Sequence, residues 1–374
     1  MTEESPTTSH LSVAMTTMEM TQTTDDSGTT VVLSDNSKLY FRSVVLFLGV
    51  IGTAANGLIL YALVASKQHK KHVLIVNQNC FDLFSSVFLI ITYAMKIANI
   101  RLTGALGYWV CMIILSEKLI WLGIIGSVIN LAIITIERYL KVVHSAWSKR
   151  NLHRWIIYLA MAFAWIASII YNVAIVFPTS SVTDGACNTY AIWESEMTKV
   201  ILFIWKFVSF YVIILLICIF CYSRILVVVR RQAKVMASHG PGASTSAQAQ
   251  KNKMQSSVIK TMILISAFYA ISWLPTYIYL LLLNLNPTLP IVKIGYYVAE
   301  FISWMYICTN PFIYAVKFEP VKRVLFGMIP CKCLKPAIED TTSVGTSFRT
   351  APSVPRRDVN TTHFNASTGE QRQQ

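Results

Sequence analysis

The chain has 374 residues, of which 54% are hydrophobic and only 13% charged. An ordinary soluble domain is about a quarter charged, so this composition excludes a soluble fold. The net charge of +14 does not require a nucleic-acid partner, because the lysines and arginines gather in a few short loops and the tail.

Residues 1–40 are rich in Thr, Ser and Met and lack the apolar core of a cleaved signal peptide. They are predicted to be a disordered extracellular segment, with the first helix as the insertion signal. Seven apolar blocks follow, at 41–66, 73–98, 108–136, 154–177, 200–229, 258–284 and 291–316. A run of about 20 apolar residues spans a bilayer as a helix. Barrel strands would be shorter and would alternate, whereas runs such as VIILLICIFCY (212–222) are continuous. The expected fold is an all-α seven-transmembrane-helix bundle over 41–316, embedded in the lipid bilayer.

The loop after helix 1 reads KQHKKH (67–72), and the loop after helix 3 holds Arg138, Lys141, Lys149, Arg150 and Arg154. Arg224, Arg230, Arg231 and Lys234 follow helix 5, and the tail adds further lysines. Basic loops stay in the cytoplasm, which places the N-terminus outside and the C-terminus inside a plasma membrane. The sequons at 360–362 and 365–367 then lie inside and are read as chance matches.

Cys111, at the outer start of helix 3, and Cys187, in the outer loop between helices 4 and 5, both face the oxidising side and are expected to form a disulfide. Residues 237–250 (ASHGPGASTSAQAQ) read as a flexible internal loop. Residues 317–330 read as an amphipathic helix at the cytoplasmic interface, with a disordered tail over 331–374. Cys331 and Cys333, beside Lys332 and Lys335, suit reversible palmitoylation, with free thiols as the alternative.

Polar groups at membrane depth are costly and are functional candidates. Helix 1 has Asn56, helix 2 has Asn77 and Asp82, helix 3 has Ser127 and Asn130, and helix 7 has Asn310. Asp82 is the one acidic residue deep in helices 1, 2 or 7, so its carboxylate must be protonated, hydrogen-bonded or bound to a cation. Helix 6 carries Trp273-Leu274-Pro275 and helix 7 carries Asn310-Pro311, and prolines at such depth let helices bend. Glu137-Arg138-Tyr139 ends helix 3 at the cytoplasmic face, where an arginine can simply snorkel to the headgroups.

Together these residues resemble the rhodopsin-like G-protein-coupled receptors over about 41–330. The matching features are Asn56 in GTAANG, Asp82 after NQNCF, ERY at 137–139, Trp165, SWLP at 272–275, NPFIY at 310–314, and Tyr222 near the inner end of helix 5. The resemblance implies that Asp82, Ser127 and Asn310 hold a sodium ion in the inactive state. It implies that Arg138 is freed on activation to meet a heterotrimeric G protein. Trp273 would floor the ligand pocket, and Asn310, Pro311 and Tyr314 would rearrange as helix 6 swings outward. Such a protein is a receptor and not an enzyme.

The sequence also departs from that family. Ile214 stands where helix 5 usually has proline, so the bulge there is expected to be absent. Ser272 replaces a cysteine, and Tyr306 and Ile307 replace small polar residues that often complete the sodium site. Cys111 lies two residues farther from Arg138 than is usual, so the top of helix 3 is expected to differ in shape. Around Met254–Met262 no acid is available to lock Arg138, which predicts appreciable ligand-independent signalling.

For the ligand, Ile120 occupies the position of the aspartate that binds amines, and Trp304 that of the retinal lysine. Both ligand types are excluded on that basis. Lys206, among Trp205 and Phe207, is read as meeting an acidic or carbonyl group of the ligand, or equally as pairing with Glu117. Glu300 is similar, and Trp121, Tyr277, Tyr297 and Trp304 could wall the pocket or simply pack. Charges of both signs among rings suit a neuropeptide-like peptide. An anionic lipid or other small molecule, or a silent seven-helix partner of another receptor, are the alternatives. The Ser/Thr-rich segment 341–353 would suit phosphorylation and arrestin.

Overall fold

The computed structural model describes residues 35–176, 180–189, 196–238, 246–285 and 293–328. The chain divides into Met1–Ile329 and Pro330–Gln374, and all described residues belong to the first unit. Helices α1 (Asp35–Ala65) and α2 (Val73–Ala98) lead the bundle. α3 comes in two pieces, Gly104–Val110 and Lys118–Val143, joined through a π turn at Cys111–Leu115. A short helix, Ser145–Asn151, precedes α4 (Arg154–Val176). Strands β1 (Ser180–Thr183) and β2 (Ala186–Thr189) form an antiparallel hairpin that pairs Val182 with Cys187.

α5 comprises Glu196–Phe207, a π turn at Val208–Val212, and Ile213–Ser238. α6 (Ser246–Leu285), α7 (Lys293–Lys317) and α8 (Glu319–Met328) complete the order. Six of these helices are long and apolar enough to cross a membrane; α7, interrupted by polar residues, is the seventh member of the bundle.

Burial sorts the side chains as a bilayer demands. Phe47, Leu159, Phe163, Leu216 and Phe220 are exposed on the outside, while Asn56, Gln78, Asp82, Ser127, Asn130 and Asn310 are buried within. Lipid offers no partner for polar groups, so these groups must meet each other. The tight approach of α2 to α3 requires a small residue. A Cβ on Gly123 would stand 2.1 Å from the Ser85 hydroxyl and 2.9 Å from the Phe81 carbonyl.

Several boundaries differ from the sequence reading. α1 starts at Asp35, within the segment expected to be disordered. α6 takes in residues 246–250 of the expected loop, because Ala and Gln there favour helix. The outer loop before α5 contains the hairpin, whose Asp184-Gly185 turn has φ of 53° and 77°, a mirror-image turn that this pair favours. The Leu102 amide donates to the Gly185 carbonyl at 2.9 Å, and the Cys111–Cys187 disulfide ties the hairpin to the π turn of α3.

The two extra residues between Cys111 and Arg138 are absorbed by that π turn and by Glu117, a non-glycine residue at φ 62°. The Lys96 ammonium holds Glu117 at 2.7 Å. The expectation of no bulge in α5 is overturned, since the π turn Val208–Val212 is a bulge made without proline. Within it the Phe210 carbonyl accepts the Tyr269 hydroxyl, and the Tyr211 hydroxyl donates to the Ala270 carbonyl at 2.9 Å. Two tyrosines exchanged between α5 and α6 hold the wide turn.

Candidate functional site

A continuous polar chain crosses the bundle at mid-depth. The Trp165 indole N–H donates to Asn77 Oδ1 at 3.0 Å, and Asn77 Nδ2 donates to Asn130 Oδ1 at 2.9 Å. Asn130 Nδ2 donates to Gln78 Oε1 at 2.7 Å, and Gln78 Nε2 donates to the Ser127 hydroxyl. Ser127 donates to Asp82 Oδ1 at 2.7 Å, and Asn310 Nδ2 donates to Asp82 Oδ2 at 2.8 Å. Each donor is fixed on its helix by spacing: Gln78 and Asp82 are four residues apart on one face of α2, as are Ser127 and Asn130, three apart, on α3. Sequence reasoning passed over Gln78, although its spacing from Asp82 was the signal.

Asp82, Ser127 and Asn310, the residues expected to hold a sodium ion, are brought together. Both oxygens of Asp82 already accept hydrogen bonds, and the Ser127 oxygen accepts from an amide N–H. Tyr306, fully buried, brings its hydroxyl to 3.4 Å from Ser127 in place of a small ligand residue. Each carboxylate oxygen accepts one hydrogen bond here and keeps further lone pairs. Among the described residues no group of three or more His, Cys, Asp or Glu could hold a metal.

The proline of α7 is accommodated by α1. Pro311 cannot bond the carbonyl of Ile307, and Asn56 Nδ2 donates to that carbonyl at 3.2 Å. Near Pro275 in α6, the Ser303 hydroxyl donates to the Ser272 carbonyl at 3.3 Å and lies 2.7 Å from the Thr276 hydroxyl. Buried polar atoms along this route that lack a hydrogen-bond partner among the described residues include Asn56 Oδ1, Trp273 Nε1, Trp304 Nε1, Asn310 Oδ1 and the Tyr314 hydroxyl.

At the inner end of α3, Glu137 pairs with Arg138 (Nε to Oε2, 3.0 Å) and with Lys141. No carboxylate from α6 joins them among the described residues. Tyr139 meets His144 Nε2 at 3.2 Å, and the Tyr222 hydroxyl lies 3.1 Å from that of Thr135. His72, before α2, packs edge-on against Phe318 at 5.1 Å. Burial, and secondarily Arg138, hold its pKa down at about 4.

Toward the opposite end, α3, α4, α5 and α6 border a cavity walled by Lys118, Trp121, Lys206, Phe210, Trp273 and Tyr277 among others. Trp121 lies 5.6 Å from Trp273, and Tyr277 lies 5.1 Å from Tyr211, between ring centroids. The Lys206 ammonium stands 6.0 Å from the Trp121 ring.

Four expected pocket residues thus come together, while Trp304 and Glu300 do not line this wall. Trp304 is buried behind Trp121, 5.9 Å away between centroids, and Glu300 faces Glu117 and Lys96. Tyr297 packs on Phe41 of α1 instead. Lys206 does not pair with Glu117, because Lys96 has taken that carboxylate. Lys118 was passed over by the sequence reading, although a lysine inside the apolar block 108–136 was the signal. Cys331, Cys333 and the segment 341–353 lie outside the described residues.

The family model for the seven-transmembrane receptors of the rhodopsin family matches residues 55–314. Human galanin receptor type 1 is 25% identical over 324 residues, covering 83% of this chain and 86% of the receptor. Mouse lysophosphatidic acid receptor 3 is 22% identical over 330 residues, covering 85% of this chain and 82% of its own. The crystal structure of squid rhodopsin superposes with a TM-score of 0.67 at 19% identity, covering 82% of this chain and 90% of that one.

Proposed function

The chain belongs to the rhodopsin family of seven-transmembrane receptors, and on that premise we propose that it converts binding of an extracellular peptide into activation of a heterotrimeric G protein. In this reading the N-terminus is extracellular, the ligand enters between α3, α5 and α6, and the inner half of α6 swings outward. Arg138 then leaves Glu137 and meets the G protein. Similarity to the galanin receptor supports a peptide ligand.

The observation that carries the switch is the contact route from the pocket to the proline hinge of α7. Trp273 touches Tyr306 at 6.4 Å between centroids, and Tyr306 reaches Ser127 and so the Asp82–Asn310 pair. The pocket floor is therefore in contact with the Asn310-Pro311 hinge.

A second reading, an anionic lipid or other small acid as ligand, is favoured by the two lysines in the pocket wall and by similarity to the lysophosphatidic acid receptor. The test is G-protein dissociation in cells presented with peptide and lipid libraries, with Arg138→Ala and Lys206→Ala in parallel. A response that disappears with Arg138→Ala and moves to higher ligand concentration with Lys206→Ala is expected. A response that survives Arg138→Ala contradicts the mechanism.

A further inference from the structure

Lys206 is an ammonium in a wall of rings with no counter-charge. It is partly buried on α5, its ammonium stands 6.0 Å from the Trp121 ring, and among the described residues no carboxylate or hydrogen-bond acceptor pairs with it. The acid nearest in the sequence reading, Glu117, is held by Lys96 at 2.7 Å. Glu300 faces that pair and is not part of the cavity wall. The described wall contains a second lysine, Lys118, whose ammonium lies 3.7 Å from the Met112 sulfur and 3.5 Å from the Ser180 hydroxyl, and it contains no aspartate or glutamate.

We propose that the ligand is anchored by an acidic group, a carboxylate or a phosphate, on Lys206, with its apolar body against Trp121, Trp273 and Tyr277. This rests on the chain being a receptor whose pocket is this cavity. A contact with an aromatic face offsets only part of the cost of taking an ammonium out of water. An anion arriving in the same low-dielectric wall gains a charge-assisted hydrogen bond that a neutral group cannot make. An amine would meet two like charges. The cavity therefore selects acids, and the rings around the ammonium select acids that carry an apolar body.

The full chain is purified into nanodiscs and its thermal unfolding midpoint is followed with paired probes. N-acetyltryptophan against N-acetyltryptophanamide represents a peptide carboxylate. Dodecyl phosphate against the uncharged dodecyl maltoside, below their micellar concentrations, represents a lipid headgroup. At least one acid is expected to stabilise the wild type at about a tenfold lower concentration than its partner. Lys206→Gln is expected to remove that preference. The pair that shows it identifies the source of the acid. Equal effects within both pairs, no effect of either acid, or a preference that persists in Lys206→Gln would each overturn the proposal.

A second measurement needs no probe. Replacing an unpaired buried cation should raise the midpoint of the empty receptor in Lys206→Met, whereas a lysine that holds the fold together would lower it, and a lower midpoint overturns the assignment. Neither measurement involves a G protein. Acid anchoring can thus fail while Arg138-dependent signalling stands, and the reverse.

Discussion

Single side chains set the cost of this polar interior. Asn130 makes three hydrogen bonds, to Asn77, Gln78 and the Leu74 carbonyl. Asn130→Ala should lower stability by about 1–2 kcal/mol, the upper range for membrane hydrogen bonds because several partners are orphaned together. A lowered thermal midpoint of the purified chain checks it, and an unchanged one counts against the network. His72 gives a pH dependence. Its folded pKa, about 4, lies below the usual 6.5, so the unfolded chain binds the proton more readily. Stability is intact above pH 6.5 and is lost as pH falls toward 4, by about 2 kcal/mol at pH 5. His72→Asn should flatten the midpoint between pH 7 and 5. At this scale the sequence was partly readable. Asp82, Ser127 and Asn310 were expected to meet and do so, because depth in a bilayer leaves them no other partners. Whether Lys206 was paired could not be read, since Glu117 turns to Lys96 through a left-handed backbone that no local pattern announces.

Helices in this bundle are shaped by what satisfies their irregular turns. The α5 bulge was expected to be absent for want of proline, yet it is present, because the Tyr269 hydroxyl on the Phe210 carbonyl and the Tyr211 hydroxyl on the Ala270 carbonyl lie 59 residues apart in sequence and act across two helices. Such a device has no local signature. Tyr211→Phe and Tyr269→Phe should each cost about 1 kcal/mol, and the double variant should cost less than the sum, as for neighbours in one network. Strict additivity in their thermal midpoints would show that the bulge stands without them. The break in α3 was legible only as two surplus residues before Arg138. Replacing Lys96 with Met should loosen it by freeing Glu117 at positive φ, and a double-mutant cycle with Glu117→Gln measures the coupling. α2, by contrast, begins and ends where its hydrophobic block does.

Across the whole molecule, the order of seven apolar blocks determined the architecture, since a bilayer accepts only closed backbone hydrogen bonding. What the sequence left open is how the two ends communicate. The structure places a lysine-bearing pocket at one end, a hydrogen-bonded carboxylate in the middle, and an arginine paired with its neighbour Glu137 at the other. With no acid on the inner part of α6 to restrain Arg138, the resting state is weakly held and the chain should signal without ligand. The most direct measurement is basal G-protein dissociation in cells expressing the wild type or Arg138→Ala at matched surface levels. The account predicts a basal signal clearly above mock-transfected cells that Arg138→Ala removes; a wild type indistinguishable from mock, or a basal signal indifferent to Arg138→Ala, would contradict it.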